Sequence, residues 1–224
     1  MMSRVMITGG SSLDTLVGGE DAVTAAPGLA FRDNVIFDQH FVERGRLARL
    51  VGALQAAGLA LGAGVGEDTA LVVPEAGPWR VVGSGHVVVL ELPDTEVEGP
   101  LERFTGVKVS LIAHGDRFNP ENGRFTVLPA RENTEEVGYY YEAGDIFAVD
   151  AFGPGVLADM AERLVDSPET EASALAFAGE AAPSFTSAGV RLVLTKTGET
   201  AGYWGDVGVG EGYSAVRLEL SSSP

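Results

Sequence analysis

The chain has 224 residues, with 15 Lys and Arg against 32 Asp and Glu and a formal net charge of −17. Like charge would repel a nucleic-acid backbone or an anionic membrane, so neither is expected as a partner. Hydrophobic residues at 45% and charged residues at 21% describe a globular chain, and zero cysteines exclude disulfides, a thiol nucleophile and a thiolate metal site.

In chain order, the apolar run at 1–7 reads as the later turns of a buried helix, followed by a Gly-rich loop from Thr8-Gly9-Gly10-Ser11-Ser12 onward. Asn34-Val35-Ile36-Phe37 is a short apolar strand ending in Asp38-Gln39-His40. A helix is expected over 41–57, because Leu47, Leu50, Val51 and Leu54 recur on one face, and Gly58 ends it. Strands follow at 59–65, 69–73, 79–82, 86–92 and 107–113. Strand–helix–strand order over 34–65 predicts a parallel unit, and the later strands a mixed sheet edge.

Residues 1–128 carry ten basic and sixteen acidic side chains, and residues 129–224 five and sixteen. A boundary is therefore placed near Pro129. In the second part helices are expected over 156–165 and 169–178, the latter capped by Ser167, and strands over 190–194 and 215–220. Tyr139-Tyr140-Tyr141 reads as strand packing or an interface.

Functional groups in α/β folds collect beyond the carboxyl ends of parallel strands. Two such ends carry reactive residues, Asp38-Gln39-His40 and Glu67-Asp68. If both strands share a sheet, His40 and Glu67 face one crevice, and together they are the base and orienting carboxylate of a nucleophilic triad. Arg44, Arg46 and Arg49 lie around the helix start, where the helix dipole disfavours cations. An anionic substrate group or nearby carboxylates would offset that. Asp116, Asn119 and Glu121 lack a calcium-loop pattern, and His86 and His114 lack a third ligand, so neither a metal nor another cofactor is expected.

The run Phe37-Asp38-Gln39-His40-Phe41-Val42-Glu43-Arg44-Gly45-Arg46-Leu47-Ala48-Arg49-Leu50 resembles the D-Q-H-F-x-x-R-x-R-x-x-R-L signature of cyanophycinases, serine exopeptidases of the peptidase S51 family. Gly64-Val65-Gly66-Glu67-Asp68-Thr69-Ala70 resembles that family's G-I-D-E-[ND]-T-A segment, with Gly66 in place of the usual Asp. Gly83-Ser84-Gly85 and Gly115-Asp116-Arg117-Phe118 also fit its pattern. The resemblance covers residues 1 to about 128 and implies an α/β fold: part of a flavodoxin-like (class I glutamine amidotransferase-like) sheet with flanking helices. Residues 129–224 form an α+β extension outside it.

The resemblance also implies a Ser–His–Glu triad. His40 takes the base position and Glu67 the carboxylate position, while Asp38, Gln39, Arg44, Arg46 and Arg49 take substrate-pocket positions. The implied substrate is cyanophycin, a poly-aspartate backbone bearing arginine on its β-carboxyls, cut to β-Asp-Arg dipeptides. The family's nucleophile lies in a G-T-S-A-G-A elbow that would fall just before residue 1, so a preceding segment or a separate chain is expected to carry the serine. Thr186-Ser187-Ala188-Gly189 repeats part of that motif without the strand–turn–helix context an elbow needs, and is read as a turn. Alternatives are an aspartyl dipeptidase (peptidase E) activity on β-aspartyl dipeptides, or a non-catalytic ligand-binding remnant. A homodimer in the cytoplasm is the expected state, with secretion the alternative if a leader precedes residue 1.

Overall fold

The computed structural model describes residues 2–92, 96–98, 103–177, 189–206 and 208–223. Strand β1 (Val5–Gly9), helix α1 (Ser12–Val17) and strand β2 (Thr24–Pro27) open the chain, with β1 and β2 paired antiparallel. The expected helix at 1–7 is thus a strand. Val5-Met6-Ile7 is short and β-branched at two positions, and pairing with Ala25, Ala26 and Pro27 decides its state. The loop expected from Thr8 onward also contains α1, whose Ser11 cap accepts the Asp14 N–H.

Next come β3 (Ile36–Gln39), α2 (Leu47–Ala57) and β4 (Leu61–Val65). Strands β3 and β4 pair in parallel, Ile36 opposite Gly62 and Gln39 opposite Val65, as the strand–helix–strand order predicts. Leu47, Leu50, Val51 and Leu54 are all buried, each stabilising the fold by about 2 kcal/mol through area removed from water. The helix starts at Leu47 rather than at 41. Gly45 has φ +52, and a Cβ there would meet Phe152 O at 2.1 Å, so the backbone turns at 45 before the helix begins. Gly58 closes α2 in the left-handed conformation.

Strands β5 (Thr69–Val72), β6 (Trp79–Gly83), β7 (Val87–Glu91), β8 (Glu96–Glu98), β9 (Arg103–Ile112), β10 (Arg117–Asn119) and β11 (Arg124–Thr126) follow. Then come β12 (Glu132–Asn133), α3 (Thr134–Val137), β13 (Ile146–Ala148), α4 (Val156–Val165), β14 (Glu171–Phe177), β15 (Gly189–Thr195), β16 (Ala201–Asp206) and β17 (Glu211–Ser223). The large sheet has eleven strands, with main order β13-β14-β15-β17-β9-β7-β4-β3. A smaller four-stranded sheet has order β11-β10-β6-β5. The architecture is mixed α/β, consistent with the expected flavodoxin-like class, and β17 pairs with β9 across the residue at which the composition changes.

The helix expected over 169–178 is strand β14. Ala172, Ala174 and Ala176 are buried while their neighbours are not; this period of two overrides alanine's helix propensity. Tyr140 and Tyr141 fall between α3 and β13, outside any strand, and Tyr140 is exposed. Ser187 lies outside the described residues.

The two faces of the sheet carry separate cores. Val88 and Leu90 face α2 and α4, together with Leu50, Leu54, Leu157 and Leu164. Val87 and Val89 face the small sheet, with Trp79, Val81 and Phe118. Asp116 is fully buried there in a polar clasp: its carboxylate accepts from Arg131 at 2.8 Å, Ser214 at 2.6 Å and the Leu128 N–H at 2.9 Å. No described helix is long and apolar enough to cross a membrane.

Candidate active site

Because β3 and β4 are parallel neighbours, the chain leaves both at the same sheet edge, His40 after one and Glu67 after the other. The backbone N–H of Phe41 donates to Val65 O at 3.2 Å and holds the two exits together. His40 sits in the left-handed region at φ +45, and Asp68, beside Glu67, at φ +51. Such conformations in non-glycine residues cost on the order of 1–3 kcal/mol each. Two of the four described non-glycine residues with positive φ therefore flank this site.

His40 Nδ1 lies 2.9 Å from Glu67 Oε1. A carboxylate facing Nδ1 accepts, so this contact favours the imidazole tautomer with the proton on Nδ1, in which Nε2 presents its lone pair. Among the described residues, no further hydrogen bond of the His40 side chain is found. Both side chains are half exposed, at 41% and 50%. They line an open groove of ≈ 430 Å³ together with Phe37, Asp38, Gln39 and Thr69.

Asp38 and Arg49 pair with each other. The Asp38 side chain is fully buried, and Arg49 grips it through Nε at 2.8 Å and a terminal nitrogen at 2.6 Å. Arg49 also donates to Gly10 O at 3.1 Å. Its backbone N–H donates to Ser12 Oγ at 3.3 Å. Arg46 donates to Gln39 O at 2.5 Å and lies 3.4 Å from Asp38. Burial, and then the charge of Arg49, lower the Arg46 guanidinium from its ordinary pKa, while Asp38 opposes them. Arg44 is exposed, and among the described residues its side chain makes no ion pair or hydrogen bond, although its backbone N–H donates to His40 O at 3.2 Å. The structure thus brings Asp38, Gln39, His40 and Glu67 to the groove, whereas the three arginines are not among its lining residues. Asp38 is the nearby carboxylate that offsets the cations at the start of α2.

Two further residues here are not among those the motifs single out. Ser3 is buried, and its hydroxyl accepts the Phe37 N–H at 3.0 Å, tying the segment that precedes β1 to β3. Glu43 accepts the Glu67 N–H at 3.1 Å; its place three residues after His40 was the available signal. His86 and His114 are engaged with backbone, His86 Nε2 at 3.2 Å from Tyr213 O and His114 Nδ1 accepting the Gly83 N–H at 3.1 Å.

No protein-family model matches the chain. Curated proteins similar to it include the cyanophycinase of Trichormus variabilis (strain ATCC 29413 / PCC 7937), 34% identical over 139 residues, covering 58% of this chain and 45% of that protein. The cyanophycinase of Geminocystis herdmanii (strain PCC 6308) is 34% identical over 127 residues, covering 53% of this chain and 46% of its own. That of Synechococcus elongatus is 32% identical over 127 residues, covering 53% and 38%. The chain spans less than half the length of these relatives, and the similarity supports a cyanophycinase-like relationship over about half of the chain.

Proposed function

We propose that this chain supplies the base and the orienting carboxylate of a Ser–His–Glu hydrolase acting on cyanophycin, with the serine contributed by polypeptide outside residues 1–224. The observation that carries the reading is the 2.9 Å contact between His40 Nδ1 and Glu67 Oε1 at adjacent parallel-strand ends, in a chain similar to cyanophycinases.

In this reading His40 Nε2 takes the serine hydroxyl proton as the oxygen attacks the scissile carbonyl, and Glu67 stabilises the resulting imidazolium. His40 then returns the proton to the leaving amine. A water, deprotonated in turn by His40, cleaves the acyl-enzyme ester and regenerates the serine. Asp38 and Gln39 line the groove where the substrate backbone would lie, and the exposed Arg44 side chain, without a partner among the described residues, is available to meet a substrate carboxylate. The braced Arg46 and Arg49 hold the floor rather than the ligand. Residues 1–128 carry the chemistry, and the more acidic 129–224 complete the sheet.

The test is hydrolysis by this chain alone and by the chain supplemented with a serine-bearing upstream polypeptide. Release of β-Asp-Arg dipeptides from cyanophycin by the supplemented protein alone is the expected result. Cleavage by the chain alone, abolished by Ser187→Ala, would place the nucleophile elsewhere. Preference for simple Asp-X dipeptides over cyanophycin would instead favour an aspartyl dipeptidase.

A further inference from the structure

We infer that Glu43 is a positioning residue that holds Glu67 in register with His40, an inference that rests on the His40–Glu67 chemistry proposed above. Glu67 follows the end of β4, so no sheet ladder fixes its peptide. Its side chain is half exposed, and its neighbour Asp68 has positive φ. A modest rotation there would swing the carboxylate away from His40.

Two side chains hold that peptide instead. Glu43 Oε1 accepts the Glu67 N–H at 3.1 Å, and Thr69 Oγ1 donates to the Glu67 carbonyl at 2.9 Å. Thr69 is a local partner, two residues away. Glu43 comes from the other segment, three residues after His40, so its contact is a second bridge between the base-bearing and carboxylate-bearing exits.

Gly66 leaves room for this bridge. A Cβ at 66 would stand 3.1 Å from Glu43 Oε1 and 3.0 Å from His86 O, so the carboxylate fills the space that a side chain would need. The remaining oxygen, Oε2, is buried and has no hydrogen-bond partner among the described residues. Burying an idle carboxylate oxygen is unfavourable. An apolar side chain of similar size would avoid that penalty but leave the Glu67 N–H without its acceptor. The acceptor is what the glutamate adds at this position.

The chain has three histidines, so imidazole ¹⁵N signals can be assigned by single substitution. At a pH of about 8, where imidazoles are neutral, wild type and Glu43→Gln should show His40 with its proton on Nδ1 and slow exchange of the Glu67 amide. Glu43→Ala should speed that exchange by about tenfold or more and move His40 toward a mixture of tautomers. Where the alanine variant does not fold, Glu43→Asp carries the test, because it draws the acceptor back by one methylene and should show the same changes.

A residue serving only overall stability would shift the melting temperature and leave the His40 tautomer unchanged, and that result would overturn the inference. Gln behaving like Ala would also overturn it, since the claim is for an acceptor. The readout needs no hydrolysis: an inactive protein whose His40 tautomer depends on Glu43 contradicts the proposed reaction and upholds the positioning role.

Discussion

Replacing Arg49 with alanine asks whether this cation is a brace or a substrate contact. In the structure Arg49 meets Asp38 in a two-pronged pair at 2.8 and 2.6 Å, with the Asp38 side chain fully buried and that of Arg49 9% exposed. Removing one partner of such a pair strands the other and costs about 3–5 kcal/mol. Asp38 would keep the Gln39 N–H at 2.9 Å and Arg46 at 3.4 Å, which places the expected loss at the lower end, about 3 kcal/mol. With a urea slope of about 2–3 kcal/mol per molar, the unfolding midpoint should fall by about 1–1.5 M. Arg44→Ala, at an exposed position, should change stability by less than about 0.5 kcal/mol. Urea unfolding followed by circular dichroism measures both. Equal, small losses in the two variants would refute the brace, and a loss of stability in Arg44→Ala alone would reverse the assignment.

Gly64→Ala should be destabilising by about 1–3 kcal/mol, because a Cβ there would stand 2.1 Å from the Phe41 ring; thermal melting checks it. Ser214→Ala removes a 2.6 Å hydrogen bond to buried Asp116 and a contact with Arg131. It should cost about 1–3 kcal/mol, measurable by the same unfolding assay, and no change would show the clasp to be dispensable. His86 is lowered from its ordinary 6.5, chiefly by burial, with the Tyr213 carbonyl opposing. Its folded form resists protonation, so its stabilising contribution is complete above the unfolded pKa of about 6.5 and is lost as pH falls toward the lower folded value. Wild type should therefore lose more stability than His86→Gln on acidification from about pH 7 to 5, and parallel curves would contradict that.

Much of the site was legible because its logic is local. Val35-Ile36-Phe37, the buried stripe of Leu47, Leu50, Val51 and Leu54, and Gly58 define one strand–helix–strand unit, and parallel pairing brings His40 to Glu67. The arginines were visible as a cluster, but their partners were not. Arg49 reaches Asp38 because Gly45 turns the chain and delays the helix to Leu47, a backbone event that side-chain spacing does not show. Strand β1 was obscure because five residues of Val, Met, Ile, Thr and Gly pair with a segment fifteen or more residues away. In β14, alanines that favour a helix in isolation lie along one sheet face, and only the neighbours Leu192 and Leu194 reveal it. Non-local pairing decided both.

In the proposed reaction His40, oriented by Glu67, moves the proton during hydrolysis. This role is tested most directly by dipeptide release from cyanophycin in the serine-supplemented protein, comparing wild type, His40→Ala and Glu67→Gln. Turnover should fall by at least about 10²–10⁴-fold in His40→Ala, by a smaller but clear factor in Glu67→Gln, and no further when the two are combined. Turnover unchanged in His40→Ala would contradict that role.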